Sequence, residues 1–343
     1  MKSFGETHHG RTFQGFVNWA RAQGWRYAMA PVHLANFERF LEHRGVQQLA
    51  DVDAVLLIEY QRDLSITRGP ATVNGYMSMV RALWRYLLRE DLGAANATIA
   101  VRPFRPDYFM PHLYSASELC RIEQGARTEI WRTRTPGLRF CRRTRHAAFG
   151  LLRDCGLRVS EACRLNINDY DRRARTLQIE RTKFFKTRHI PLPRTTCALL
   201  NQYLKRRLVV TAATDAPTAF FISMQGRRLG RGALESTFKQ LLCKLGLYRP
   251  RRREGRTVFG SSNLHALRHS YAVRTLERWQ RQRQNVEHLL PLLSGYLGHA
   301  QVSYTAHYLH LTPTLRQLAS ERFADLVLPR LDHGGALAKD KDE

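Results

Sequence analysis

Residues 296–310 read YLGHAQVSYTAHYLH, and the reading of this stretch decides the fold. His299 follows a glycine, and Tyr308 comes nine residues later. A phenol ionises near pH 10, so it attacks at neutral pH only with cations or a base beside it. Three upstream segments offer such groups. Residues 155–171, CGLRVSEACRLNINDYD, place Arg158 just after a turn containing Gly156. Residues 179–193, IERTKFFKTRHIPLP, carry Lys183. Residues 264–273, LHALRHSYAV, set His265 and Arg268 one helical turn apart and therefore on one face. Singly, each is a weak signal, because an arginine after a turn is usually surface charge and HxxR recurs in many helices. The informative feature is the order: Arg, Lys, His-x-x-Arg, His, Tyr. Phosphoryl transfer needs fixed cations around a charged transition state, an in-line nucleophile and a proton donor for the leaving oxygen. Arginine suits the first task, since its planar fork grips two phosphate oxygens and stays charged.

Composition points the same way. The chain has 343 residues, with 55 Lys plus Arg against 29 Asp plus Glu, a formal charge of +26. Such a surface repels itself unless a polyanion neutralises it, and the arginines are spread over both halves, which favours nucleic acid over an anionic membrane. No apolar run approaches the roughly 20 residues needed to span a bilayer. The start, MKSFGETHHGRTF, lacks the apolar stretch of a signal peptide, so a cytoplasmic, nucleoid-associated protein is expected. Cys120, Cys141, Cys155, Cys163, Cys197 and Cys243 show no CxxC pairing and are expected to be reduced structural thiols. No structural metal and no cofactor are expected.

Hydrophobic spacing divides the chain. Phe13, Phe16, Val17 and Ala20 share a helical face, and Pro31 opens a second helix carrying Leu34, Phe37, Phe40 and Leu41. Asp51 can cap a third with Val55, Leu56 and Ile58, and Val73 to Leu87 forms a fourth, long apolar stripe. Residues 101–112, VRPFRPDYFMPH, hold three prolines and cannot continue a helix. The expected domains are a helical unit over 1–100, a basic linker over 101–112, a mixed unit over 113–330 and a disordered tail over 331–343. In the mixed unit, Ser115 and Ser117 precede a helix. Residues 176–181 and 189–192 alternate as strands of a small antiparallel sheet, and helices are expected over 199–208, 234–245, 266–279 and 312–326.

The ordered set resembles the tyrosine recombinase, or phage integrase, family, closely from about Ser115 to Leu326 and in general character before it. The resemblance implies a mainly α fold with a small antiparallel sheet: a helical core-binding domain and an α/β catalytic domain, clasping duplex DNA as a C-shaped clamp. It implies that Arg158 and Arg268 hold the scissile phosphate and that Lys183 protonates the leaving 5′ oxygen. His265 would exchange a proton with the tyrosine, and His299 would hydrogen-bond the phosphate. Tyr308 would form a 3′-phosphotyrosyl bond, with Glu161 orienting His265 or Arg158. Tyr296 and Tyr304 rival Tyr308, but only Tyr308 lies at the family's interval from His299; Lys186 rivals Lys183. The LPLLSGYLGH form, with TKFFKTR upstream, resembles the transposon-type members of mobile elements.

Arginines outside this set are expected on DNA: Arg81, Arg85 and Arg89 along the fourth helix, Arg102 and Arg105 in the linker, and Arg142, Arg143, Arg251 and Arg252 in two dense basic segments. The expected partners are double-stranded DNA, a homo-tetramer on that DNA and other recombinases of the same element. The expected reaction is integration, excision or transposition. Two rival readings are a type IB topoisomerase and a non-catalytic DNA-binding regulator on the same fold.

Overall fold

The computed structural model describes residues 9–25, 29–90, 96–180, 187–211 and 218–311. The chain divides into two compact units after Tyr108, inside the proline-rich segment.

The first unit contains four helices: α1 (Gly10–Ala22), α2 (Ala30–His43), α3 (Ala54–Thr67) and α4 (Pro70–Arg89). Each buries an apolar stripe in one shared core. Phe13, Phe16, Val17 and Ala20 come from α1, Leu34, Phe37 and Leu41 from α2, and Val73, Met77, Val80, Leu83, Trp84 and Leu87 from α4. Proline opens α2 and α4, where its missing N–H leaves nothing unpaired. α3 departs from expectation. Asp53, not Asp51, caps it by accepting a hydrogen bond from the Leu56 N–H at 2.8 Å. Its buried face is Leu57, Tyr60, Gln61 and Leu64, while Val55 is exposed. The Asp53 cap starts the helix two residues later than Asp51 would, and the buried face is the i, i+3, i+4, i+7 set from Leu57 to Leu64.

The start of the proline-rich segment is fastened to this unit. The Gln61 amide donates to the Arg102 carbonyl at 2.9 Å. Asn74 donates to the Phe104 carbonyl and accepts from its N–H.

The second unit begins with β1 (Tyr108–Met110), then α5 (Ala116–Trp131), α6 (Pro136–Cys155) and α7 (Val159–Arg164). Ser115 and Glu118 form the capping box that starts α5. β2 (Tyr170–Asp171), β3 (Thr176–Ile179) and β4 (Arg188–Pro191) make the expected antiparallel sheet. Its register pairs buried Leu177 with buried Ile190 and sets Ile179 opposite Arg188. Lys183 and Lys186 fall between β3 and β4, outside the described residues.

Next come α8 (Arg194–Thr211), α9 (Arg231–Lys244), β5 (Arg252–Glu254), β6 (Thr257–Phe259), α10 (Leu264–Arg281), α11 (Val286–Leu297) and α12 (Ser303–Ala306). β5 and β6 form a second three-stranded sheet, in the order β1-β6-β5, where the sequence suggested only a basic run. Arginine-rich strands do not alternate apolar with polar, so this hairpin carried no period-2 signal. The expected helix over 312–326 lies outside the described residues. No helix among the described residues is long and apolar enough to cross a membrane.

Candidate active site

Two helix ends build the site. α6 stops at Gly156, whose φ of 59° is left-handed, and the chain leaves through Leu157 into Arg158, the N-cap of α7. α11 stops at Gly298 with φ 69°. There the Gly298 N–H bonds to the Gly295 carbonyl and the His299 N–H to the Ser294 carbonyl, a Schellman closure. A helix end still leaves carbonyls without helical partners. Three consecutive ones at this end are taken by arginines from three different elements. Arg188 Nε donates to the Tyr296 carbonyl at 2.8 Å, Arg268 Nη2 to the Leu297 carbonyl at 2.6 Å, and Arg158 Nη2 to the Gly298 carbonyl at 2.6 Å. Cations at a helix C-terminus also meet the favourable end of its dipole. Arg268 further donates from Nη1 to the Gly156 carbonyl at 2.8 Å, so one guanidinium ties both helix ends together.

One carboxylate sits among these cations. The Glu161 side chain is 1% exposed. Its Oε1 accepts from Arg158 Nη1 at 2.9 Å and its Oε2 from Arg188 Nη2 at 2.9 Å, while the Arg158 backbone N–H also donates to Oε2. Burial alone would raise its pKa, but Arg188, the Arg158 N–H and the Arg158 guanidinium outweigh burial and the net shift is downward. Glu161 thus orients Arg158, one of its two expected targets. Its second partner is Arg188, not His265.

Arg268 is fully buried, and burial together with Arg158 lowers its pKa to about 10, so it remains charged at neutral pH. His299 Nδ1 shares a hydrogen bond with the buried Thr305 hydroxyl at 2.8 Å. Burial, Arg268 and Arg158 lower the His299 pKa to about 4, so the ring is neutral.

Tyr308 lies in a 3-10 turn (His307–His310) directly after α12 and is 4% exposed. Burial raises its pKa against the pull of Arg268 and Arg158, so the resting phenol keeps its proton. Its hydroxyl shares a 2.9 Å hydrogen bond with Nδ1 of His269. The expected partner was His265. That residue is exposed, and its ring stands edge-on to His269 at 4.6 Å between centroids. Burial and then Arg268 lower the His265 pKa. The rival tyrosines are placed differently. Tyr296 stacks on Tyr271 at 5.6 Å and burial raises its pKa, whereas Tyr304 is 57% exposed.

Sequence reasoning missed Arg188 and His269. Arg188 looked like one more basic residue in a basic strand. His269 adjoins Arg268, but the i,i+4 relation to His265 was available and would have put it on the same helix face.

Several arginines expected on DNA have structural work. Arg81 donates to the Val101 carbonyl at 2.7 Å. Arg89 lies over Trp19 at 5.5 Å, and Arg142 pairs with Glu129 at 3.0 Å. Arg252 covers Phe259 at 4.4 Å and pairs with Glu254 at 3.0 Å. Arg85, Arg102, Arg105 and Arg251 are exposed, and Arg143 is half-buried beside Arg206 and Arg139.

Three guanidiniums near one carboxylate, two neutral imidazoles and a buried phenol gather here, an arrangement whose chemistry suits a phosphodiester. Comparison with known proteins places it. Residues 138–314 match the phage integrase family. The integrase/recombinase y4rB of Sinorhizobium fredii is 34% identical over 309 residues, covering 90% of this chain and 95% of that one. The tyrosine recombinase XerC of Myxococcus xanthus is 27% identical over 286 residues, covering 82% and 85%. Among solved structures, the XerH site-specific recombinase in a post-cleavage complex with its difH substrate aligns with a TM-score of 0.64 at 20% identity, over 84% of this chain and 77% of that one. The Tn1549 transposon integrase with a circular-intermediate DNA aligns at 0.62 and 15% identity, over 91% and 99%. These two likenesses speak to the fold. The chain belongs to the phage integrase family, the tyrosine recombinases, and is a site-specific DNA recombinase.

Proposed function

We propose that Tyr308 is the nucleophile of this recombinase and that Arg158, Arg268 and His299 hold the scissile phosphate. The observation that carries the reading is the convergence of three arginines from separate elements on one helix end, in the same unit as a buried tyrosine bonded to an imidazole. Arg158 and Arg268 reach the site with their main-chain tethers already made, so little reorganisation remains when charge develops on the phosphate oxygens. Tyr308 attacks phosphorus, the bond to the 5′ oxygen breaks, and the phosphotyrosyl ester stores the bond for a second 5′ hydroxyl. Lys183, outside the described residues, is assigned by the sequence to protonate the leaving oxygen.

DNA is the substrate in this reading, gripped by both units and by the exposed arginines Arg85, Arg102, Arg105 and Arg251. A tetramer on DNA, action on a mobile element and a nucleoid location belong to the same proposal. The transposon integrase of similar fold supports action on a mobile element. The test is a nicked suicide substrate resolved on denaturing gels. Wild-type protein should become joined to the 3′ phosphate and leave a free 5′ hydroxyl. Tyr308→Phe should form no adduct, while Tyr296→Phe and Tyr304→Phe should still form it. An adduct with Tyr308→Phe, or attachment to the 5′ end, would overturn the assignment.

A further inference from the structure

We infer that His269 is a catalytic residue, the base that takes the phenolic proton of Tyr308 as it attacks and returns it when the strand is rejoined. The inference rests on the reading of Tyr308 as nucleophile and adds the group that activates it.

The geometry is direct. His269 Nδ1 stands 2.9 Å from the Tyr308 hydroxyl, within range for proton transfer. α10 fixes the imidazole: Arg268, the residue before it, is tethered to two helix ends, and Ser270, the residue after it, is buried and bonded to the Ala266 carbonyl. The tyrosine side is held as firmly. Ala272, Val273, Leu276, Leu293 and Leu297 form one buried cluster with Tyr308. Neither ring has to search for the other.

The electrostatics set the proton's direction. The groups facing His269 are His265 and Arg268 from α10, His299 beyond α11, and His307 and Tyr308 from the 3-10 turn. Burial, followed by the histidines and Arg268, lowers the His269 pKa to about 3, so the ring is neutral at physiological pH. A neutral ring protonated at Nε2 leaves the Nδ1 lone pair to accept from the phenol. So weak a base does not ionise the resting tyrosine, which avoids a stray phenolate in the free enzyme. Arrival of the phosphate changes the balance, because its negative charge beside Arg268 and His299 favours a protonated imidazole.

The step balances. The Tyr308 oxygen bonds to phosphorus, the phosphorus–O5′ bond breaks, and the phenolic proton passes to His269 Nδ1. O5′ takes its proton from a separate acid, an ammonium or water. In rejoining, a 5′ hydroxyl attacks phosphorus and gives its proton to that second group, while the departing Tyr308 oxygen recovers its proton from His269. His265, exposed and edge-on to His269, is then left free for the phosphate.

The test is single-turnover adduct formation on the suicide substrate from pH 6 to 9, using full-length His269→Asn and His269→Gln. Both side chains can accept a hydrogen bond but neither can hold a proton. Each should form the adduct about 10²- to 10⁴-fold more slowly at pH 7, with DNA affinity and near-UV circular dichroism unchanged. Their rates should climb about tenfold per pH unit as hydroxide replaces the base, while the wild-type rate changes little. Replacing Tyr308 by a difluorotyrosine, whose phenol ionises near neutrality, should restore most of the lost rate. His265→Asn should not be restored in this way. Wild-type rates in both His269 variants would overturn the inference, as would a slow rate that neither rises with pH nor recovers with the acidic phenol. An adduct with Tyr308→Phe would instead sink the nucleophile assignment, so the two failures are distinguishable.

Discussion

Gly298→Ala tests whether the end of α11 organises the arginines. Gly298 has φ 69°, and a Cβ there would stand 2.8 Å from Arg188 Nη1, 3.0 Å from its Cζ and 3.4 Å from Arg158 Nη1. Ordinary contact begins near 3.4 Å, so Arg188 must retreat by roughly 0.6 Å. An unattached arginine would do so freely, but this one is held by the Tyr296 carbonyl and both oxygens of Glu161. Gly246 supplies the control: it follows α9 with φ 66° and has nothing within 4 Å of a Cβ. Each substitution should cost about 1–2 kcal/mol from left-handed strain. Only Gly298→Ala should also displace the guanidiniums, and a misplacement approaching 1 Å can slow chemistry about 10²-fold. Urea unfolding should therefore show a midpoint loss in both variants, larger in Gly298→Ala where the Arg188 contacts are also disturbed, while suicide-substrate cleavage falls sharply only in Gly298→Ala. Equal cleavage rates for the pair would refute the claim that the helix end positions the arginines.

Three further outcomes are expected. Glu161→Gln removes the carboxylate that Arg158 and Arg188 share; with both arginines partly solvated, stability should fall by about 2–3 kcal/mol and cleavage with it, whereas an unchanged urea midpoint would contradict the pairing. His269 and His299, lowered to about 3 and about 4 from 6.5, bind fewer protons folded than unfolded. Stability should therefore be full above pH 6.5 and decline below it, by up to about 1.4 kcal/mol per pH unit for each histidine; a urea midpoint that is flat between pH 7.5 and 5.5 would refute the neutral rings. Log DNA affinity should fall with log salt by about 0.9 per phosphate contacted. Arg85→Ala should reduce that slope by about 1, while Arg81→Ala, whose guanidinium holds the Val101 carbonyl, should lower stability and leave the slope alone.

What could be read in advance follows from how local each signal is. The stripes of α1, α2 and α4 were legible because one helical period repeats over three to five turns and faces a single core. The start of α3 was not, because Asp51 and Asp53 are equally good caps and tertiary packing chose between them. The same limit applies to the site. Arg158, Arg268, His299 and Tyr308 stand out by order and spacing, and the structure brings them to one region of the second unit. Arg188 does not, and His269 shows only its i,i+4 place on the His265 face; their contacts are set by where α11 ends and where Tyr308 folds back. Arginine character alone does not reveal such roles: at Arg81 and Arg142 the charge meets a carbonyl or a carboxylate of the protein itself.

The charge arrangement explains why the site waits for a phosphate. Among the described residues, Glu161 is the one carboxylate that Arg158 and Arg188 bond and that acts on Arg268, which leaves an excess of mutually repelling positive charge. The fold tolerates this because three main-chain carbonyls at the end of α11 and one at the end of α6 absorb the N–H groups without neutralising the charge. Burial, and after it the surrounding histidines and arginines, drives His269 and His299 to the neutral state, while Arg268 and Arg158 favour ionisation of Tyr308 against the burial that keeps its proton in place. A phosphodiester entering this field relieves the repulsion among the arginines and, by its own charge, makes an imidazole a better proton acceptor. On the proposed assignment of Tyr308 as nucleophile, substrate binding and its activation would be one electrostatic event. A phenol without DNA beside it stays protonated, buried and inert.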